Sequence, residues 1–301
     1  MYGALLADAR KPTTRRARVQ DVSHLARFLG VAGPADACAL FVSNGLAGAN
    51  AVVTGWVRAM LDDGLSPATV NRRVSTLRRL CKLARRFGLV AWALEVDGLK
   101  SRPMRDTSGP GRANWLKFLA AATRAAARGD AGKRDLAIIR LLHDHGLRRG
   151  ELVSLDLADL DADAGRLLVT GKGRSEKTPV RLNAPTLLAL SRWAEARGPA
   201  PGPLFTRLHR GRPRGGTPAR LGGNALREVC AAISKRAGLA RAVRPHGLRH
   251  EAITRVLELT GGNIVSAQRF ARHSSPVTTQ IYNDNRTDVA SQMSRLLGED
   301  G

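Results

Sequence analysis

Acid, cysteine and tyrosine are scarce in this chain of 301 residues. Asp plus Glu number 25 against 49 Lys plus Arg, a formal net charge of +24. The three cysteines, Cys38, Cys81 and Cys230, lie far apart and form no CxxC pair. That argues against a disulfide framework and against a structural zinc site. No apolar run approaches the roughly 20 residues that span a bilayer, so neither a transmembrane helix nor a membrane partner is expected. The opening MYGALLADARK has no apolar stretch of secretory length, which sets the expectation of a cytoplasmic protein. Only two tyrosines occur, Tyr2 and Tyr282.

What the chain has in excess is positive charge, and the excess is spread out. Residues 1–105 hold 17 basic and 7 acidic residues, a net of +10; residues 106–301 hold 32 and 18, a net of +14. Both halves then suit one polyanion, and nucleic acid is the favoured class. The bland alternative is a solvated basic surface. A polybasic membrane patch lacks a lone basic amphipathic helix to carry it. A hydrophobic content of 43% supplies ordinary cores, and at about 150 residues per domain the length suggests two domains.

The pattern along the chain divides accordingly. Residues 1–19 are polar and Arg-rich and read as a flexible basic arm. Residues 20–97 read as a helical domain, with apolar residues at three-to-four spacing. Its clearest helix starts at Ser66, a good N-cap, with Pro67 at the first helical position. Val70, Val74, Leu77, Cys81 and Ala84 form one apolar stripe. Arg72, Arg73, Arg78, Arg79, Lys82, Arg85 and Arg86 crowd the rest of that helix without an acid among them. Mutual repulsion favours phosphate contact there over a merely solvated face.

Residues 98–113 (GLKSRPMRDTSGPGRA) are rich in Gly, Pro, Ser and charge and read as a linker. Over 114–285 a second domain follows. It opens with two helices, the second stopped at Gly146, and a further helix begins in LRRGELVSL. Two short strands, RLLVT (166–170) and KTPVRL (177–182), flank a Gly-Lys-Gly turn. After a helix in TLLALSRWAEARG comes an Arg/Gly/Pro loop over 200–220, either a DNA contact or an insertion. The helix expected over 223–237 carries Leu226, Val229, Ile233 and Ala237 on one stripe. A helix or tail over 286–301 ends the chain. The fold class is mainly α with a small β-sheet or hairpin.

A lone tyrosine is more often a core residue than a nucleophile, but Tyr282 has company. His246 and Arg249 in HGLRH share a helical face and can address one anion, and His250 follows directly. His246 and His250, four apart, lack the glutamate of HExxH and a third ligand, so no metal is expected. Arg148 and Arg149 follow Gly146 at a helix start, where backbone amides favour an anion. His273 precedes Tyr282 by nine residues. Asp156, Asp159, Asp161 and Asp163 flank a strand and a turn, and read as caps or surface decoration rather than metal ligands.

Four motifs occur in order: GLRRGELVSL, GKGRSEK, HGLRH and HSSPVTTQIY. In sequence and approximate spacing they resemble the tyrosine recombinases, the phage integrase family, including its Xer-like members. The resemblance covers about 114–285, and SPATVNRRVSTLRRLCKLARRFG looks like the last helices of that family's helical, SAM-like core-binding domain. It implies a two-domain enzyme with a core-binding domain and a mixed α/β catalytic domain. It also implies Arg148 as the first catalytic arginine, with Arg149 its neighbour and Glu151 a supporting acid. Lys172 becomes the catalytic lysine, His246 and Arg249 the next histidine and arginine, and His250 a supporting histidine. His273 is the second catalytic histidine and Tyr282 the nucleophile. Two departures stand out. Ala271-Arg272-His273 replaces the usual Leu-Gly-His, so Arg272 either binds phosphate or alters the turn. The hairpin order also differs, which leaves Lys177 as the fallback for Lys172.

The chemistry agrees. Two arginines and a histidine suit the charge that builds on a phosphodiester under attack, and a lysine can protonate the departing 5′ oxygen. The activity implied is site-specific cleavage and rejoining of DNA through a 3′-phosphotyrosyl bond, for integration, excision or resolution. It needs neither metal nor ATP, and no cofactor is expected. The implied partner is a double-stranded target site, bound by a tetrameric synaptic complex in which 286–301 docks on a neighbour or packs on its own domain. Candidate DNA contacts are Arg72, Arg73, Arg79, Lys82 and Arg86 in the first domain and Arg227 and Lys235 in the second. Two alternatives are a type IB topoisomerase-like relaxing enzyme and a catalytically silent DNA-binding protein of the same fold.

Overall fold

The computed structural model describes residues 1–100, 109–171, 176–208, 219–273 and Thr279. The chain divides into two compact units, Met1–Arg105 and Asp106–Gly301.

The first unit is helical: α1 (Tyr2–Ala7), α2 (Pro12–Leu29), α3 (Pro34–Ser43), α4 (Gly45–Asp62) and α5 (Pro67–Arg86). Proline opens α2, α3 and α5, where its fixed φ suits the first turn and its missing N–H costs nothing. The Ser66 side chain caps α5 by accepting from the Thr69 N–H. Val70, Val74, Leu77, Cys81 and Ala84 are all buried, as the stripe requires. They pack with Leu5, Val22, Leu25, Phe41, Val53 and Trp56 in one core.

Residues 1–19 depart from the flexible arm expected of them. They form α1 and the first part of α2, and Leu5 is fully buried. Long-range charge pairing explains the difference. The Asp8 carboxylate takes Arg18 at 2.9 Å and also Arg79, while Asp21 takes Arg72 at 2.6 Å and the Thr76 hydroxyl at 2.8 Å. Arginines that look unpartnered along the sequence thus have acids across the bundle. Beyond α5, Asn71 pins Leu99 at both backbone groups, at 2.8 and 2.9 Å. The first residues expected in a linker are therefore tied to the helix, and residues 101–108 lie outside the described set.

The second unit begins with α6 (Arg112–Ala126) and α7 (Asp130–Asp144). These pack so closely that a Cβ on Gly132 would fall 1.9 Å from the Ala125 carbonyl oxygen. Next come α8 (Arg149–Val153), a 3-10 turn and a three-stranded antiparallel sheet in the order β1 (Leu160–Asp161), β2 (Arg166–Thr170), β3 (Lys177–Arg181). Leu167 and Val169 of β2 face the core, as the period-two pattern demands. The remaining helices are α9 (Ala184–Arg197), α10 (Gly223–Arg236), α11 (Pro245–Leu259) and α12 (Ile264–Ala271). One core joins Phe118, Ile138, Leu142, Leu152, Trp193, Leu226 and Leu248.

Within the 200–220 stretch, Leu204 and Phe205 are buried and Thr206 pairs with Arg220, so its base belongs to the fold; residues 209–218 lie outside the described set. Among the described residues, no single helix is long and apolar enough to cross a membrane.

Candidate active site

Gly146 is where the site begins. It stops α7 with φ +55°, and its carbonyl oxygen accepts from both Arg249 and Arg272. A side chain there would meet Phe270 at 3.0 Å and strain the left-handed backbone. The chain then turns through Leu147 to Arg148, the N-cap of α8.

Glu151 sits three residues on and does two things. Its Oε2 accepts the Arg148 backbone N–H at 2.9 Å, and its Oε1 accepts the Arg148 guanidinium at 2.6 Å. Burial alone would push this carboxyl up. The two hydrogen bonds from Arg148 and the charges of Arg272 and Arg148 outweigh it and hold the group below its ordinary range. Glu151 is therefore an anion although it is only 4% exposed.

Arg148 has a second anchor, donating to the Arg272 carbonyl at 2.9 Å. These two bonds engage two of its five N–H groups. Its side chain remains partly exposed, so the fork still has donors for an incoming anion. Arg249 of α11 is buried, and it donates to the carbonyls of Gly146 and Ala271. His273 lies just past α12, with Nδ1 2.8 Å from the Thr279 hydroxyl oxygen. Burial and the nearby charges of Arg249, Arg148 and Arg272 push its imidazole down to about 4, against a smaller upward pull from Glu151. It is neutral at pH 7.

The structure thus brings Arg148, Glu151, Arg249 and His273 together from three separate stretches of sequence. Arg148 and Arg272 both bind the Glu151 carboxylate, and Arg249 joins them through the Gly146 carbonyl that it shares with Arg272, so these four side chains together carry +2 (3 − 1). That charge suits an incoming anion. His246 is exposed on the first turn of α11, one turn before Arg249, and His250 is buried with Nδ1 3.4 Å from the Thr254 hydroxyl. Arg149 is exposed. Lys172 and Tyr282, and the segment 286–301, lie outside the described residues. The ammonium of Lys177, the fallback for Lys172, is bound by the buried Asp159 carboxylate, so it is committed to the sheet. Asp156 pairs with Arg220, and Asp161 with Arg166 at 2.8 Å, which accounts for two more of the acids near the strands.

The candidate DNA contacts separate into two groups. Arg72 and Arg79 pair with Asp21 and Asp8, and Arg73 lies 3.9 Å from Asp21. Lys82, Arg86, Arg227 and Lys235 are exposed and make no ion pair among the described residues. Sequence reasoning singled out Arg272 as binding phosphate or altering the turn, without its bond to Glu151, and missed Thr279 as the partner of His273. The Thr279 signal was available, six residues after His273 in HSSPVTTQIY; at Arg272 the signal was the departure from Leu-Gly-His, and the structure places that residue in a left-handed turn.

A model of the phage integrase family matches residues 115–288. A tyrosine recombinase of Synechocystis sp. is 36% identical over 98% of this chain and 93% of its own length. The tyrosine recombinase XerC of Chromohalobacter salexigens is 31% identical over 90% of this chain and 85% of its own. Two solved structures share the fold. XerH site-specific recombinase bound to a palindromic difH substrate has a TM-score of 0.64 at 18% identity, covering 82% of this chain and 72% of that one. A lambda integrase dimer bound to a core site has a TM-score of 0.64 at 16% identity, covering 95% and 94%.

Proposed function

The chain belongs to the phage integrase family of tyrosine recombinases and is a site-specific recombinase; on that premise we propose that the cluster of Arg148, Arg249 and His273 is its strand-transfer centre. The observation that supports this reading is the half-buried +2 cluster whose arginines are held mainly by backbone carbonyls. Lys172, His246 and Tyr282 complete the centre, with Glu151 and His250 in support.

The scissile phosphodiester of double-stranded DNA enters with one negative charge. The Tyr282 phenol loses its proton to solvent as its oxygen bonds to phosphorus. The bond from phosphorus to the 5′ oxygen breaks, and that oxygen takes a proton from the Lys172 ammonium. A 3′-phosphotyrosyl ester and a free 5′ hydroxyl result. The pentacoordinate intermediate carries one more negative charge than the substrate, and a fixed +2 field matches it better than it matches the ground state. Removal of one such donor typically costs ~10²–10³ in rate. Reversal with a different 5′ hydroxyl exchanges strands without ATP, because the ester's free energy is retained.

The work is placed in the cytoplasm, on a tetrameric synaptic complex in which 286–301 docks on a neighbouring protomer. The exposed Lys82, Arg86, Arg227 and Lys235 are the DNA contacts, whereas Arg72, Arg73 and Arg79 hold the first unit together. Monomeric relaxation of the topoisomerase kind is not favoured by the two relatives above, both named as tyrosine recombinases. Silent binding is not favoured either, since every candidate position carries a competent residue.

The decisive experiment is covalent capture. Nicked, fragmented genomic DNA from the source organism is incubated with the protein, and adducts surviving SDS are collected and sequenced. Wild type should enrich one short site, and Tyr282→Phe should capture nothing. Equal capture by both would overturn the assignment.

A further inference from the structure

Arg272 is the one described residue other than glycine with a positive φ, at φ 52° and ψ 45°. It occupies the left-handed position that closes α12, a place where a side chain normally costs about 1–2 kcal/mol and glycine costs little. Its own N–H bonds back to Arg269, and that of His273 to Gln268. The side chain turns inward instead of reaching for water. One terminal nitrogen donates to the carbonyls of His145 at 3.1 Å and Phe270 at 3.3 Å, and the other to Gly146 at 3.2 Å and to Glu151 Oε2 at 3.3 Å. All four terminal N–H groups therefore have protein acceptors. Nε alone is buried without a partner, so the terminal fork, in contrast to that of Arg148, has little left for a phosphate.

We propose that Arg272 is a positioning residue for strand transfer, a half-buried cation that fixes Glu151 and the Gly146 turn and thereby sets the fork of Arg148 and the field at His273. The inference rests on the reading of Arg148 and Arg249 as phosphate ligands. Its local logic is a closed circuit. Arg148 donates to the Arg272 carbonyl, the Arg272 guanidinium reaches Glu151, and Glu151 accepts from Arg148. Withdrawal of the Arg272 side chain leaves the circuit held on one side only. The charged groups that bear on His273 are Arg249 from α11, Arg148 and Glu151 from α8, and Arg272 itself. Loss of the last moves the imidazole up.

The test uses the full chain with Arg272→Gly, which suits the backbone conformation, Arg272→Lys, which keeps charge without the fork, and Arg272→Gln, which keeps hydrogen bonding without charge. Arg148→Ala is the control on the site itself. Two readouts are taken: titration of the His273 imidazole by NMR, and the pH profile of single-turnover adduct formation on a nicked duplex carrying the captured site. Arg272→Gly and Arg272→Gln should raise the His273 midpoint and slow adduct formation roughly 10- to 100-fold at saturating DNA, with DNA affinity nearly unchanged. Arg272→Lys should hold the midpoint near that of wild type while remaining slow. If the variants that fold keep both the wild-type midpoint and the wild-type rate, the proposal is overturned, and Arg272 is only a space-filling cap. If Arg272→Gly does not fold, the Gln and Lys variants decide by the same criteria. If Arg148→Ala cleaves like wild type, the reading of the site fails instead, whatever Arg272 does.

Discussion

Glu151→Gln is the sharpest probe of how the centre is held. Glutamine keeps the size of the side chain and one carbonyl acceptor for the Arg148 N–H, but it removes the negative charge. The summed charge of Arg148, Arg249, Arg272 and residue 151 then moves from +2 to +3, and Arg148 and Arg272 lose the carboxylate that binds both. Loss of one partner from a fully buried pair costs about 3–5 kcal/mol. The Arg148 side chain is 26% exposed and can rehydrate, and glutamine still accepts one bond. The expected loss is therefore about 2 kcal/mol at pH 7, which for a unit of this size lowers Tm by about 4–8 °C.

The pH dependence follows from the direction of the shift. The folded Glu151 carboxyl lies below its ordinary value of 4.5, so its contribution is complete above pH 4.5 and disappears as the pH falls through the lower folded value. The Tm difference between wild type and variant should thus be widest at neutral pH and close in acid. His273 works slightly against this closure, because it loses the carboxylate that raises it. Thermal melts of both proteins from pH 7 to pH 3 read the effect. Equal Tm values at pH 7, or a gap that does not narrow below pH 4.5, would refute the assignment of Glu151 as a buried anion.

Two further outcomes are expected. Gly146→Ala forces a Cβ into a left-handed turn and to within 3.0 Å of Phe270, and should cost about 1–2 kcal/mol in denaturant unfolding. It should also slow adduct formation, because the carbonyl that anchors Arg249 and Arg272 moves with the turn. Deletion of residues 287–301 should leave cleavage of a nicked duplex intact and abolish recombination between two sites on one plasmid; intact recombination would show that the segment does not act between protomers.

Much of this architecture is written locally. Ser66 and Pro67 announce α5, and its apolar stripe faces the core as its spacing requires. The β2–β3 hairpin falls on the two expected strands. The site motifs could be found because each sits in a short contiguous stretch: Arg148 with Glu151, and the 246–250 segment. What the local pattern hides is pairing across distance. Asp21 lies 51 residues from Arg72, and Asp8 lies 71 residues from Arg79, so residues 1–19 and the cationic face of α5 look unpartnered when read in order. Arg272 stands out in the sequence as a departure from Leu-Gly-His, but the inward course of its side chain does not. A left-handed cap is ordinarily marked by glycine, and here inward hydrogen bonds compensate for a residue that the backbone disfavours.

The α5 arginines and those of the candidate site are held in opposite ways, and the difference separates structural cations from functional ones. In the first unit Arg72 and Arg79 meet carboxylates, so each positive charge is cancelled where it stands and contributes little field beyond its partner. In the second unit Arg249 is held by the Gly146 and Ala271 carbonyls, and Arg148 takes the Arg272 carbonyl beside its one acid. A carbonyl satisfies an N–H without bringing a full negative charge, so it fixes the guanidinium and leaves most of its potential standing. Had carboxylates replaced those carbonyls, the same geometry would sum near zero and hold no anion. With carbonyls, the +2 is assembled before any phosphate arrives, and the backbone's attraction to each guanidinium offsets the mutual repulsion of three like charges. Such a field needs no reorganisation during reaction, which is why electrostatic preorganisation is effective in a site shielded from water. By this criterion, the arginines of this chain to suspect of chemistry are those whose bonds go mainly to backbone oxygen around a single buried acid.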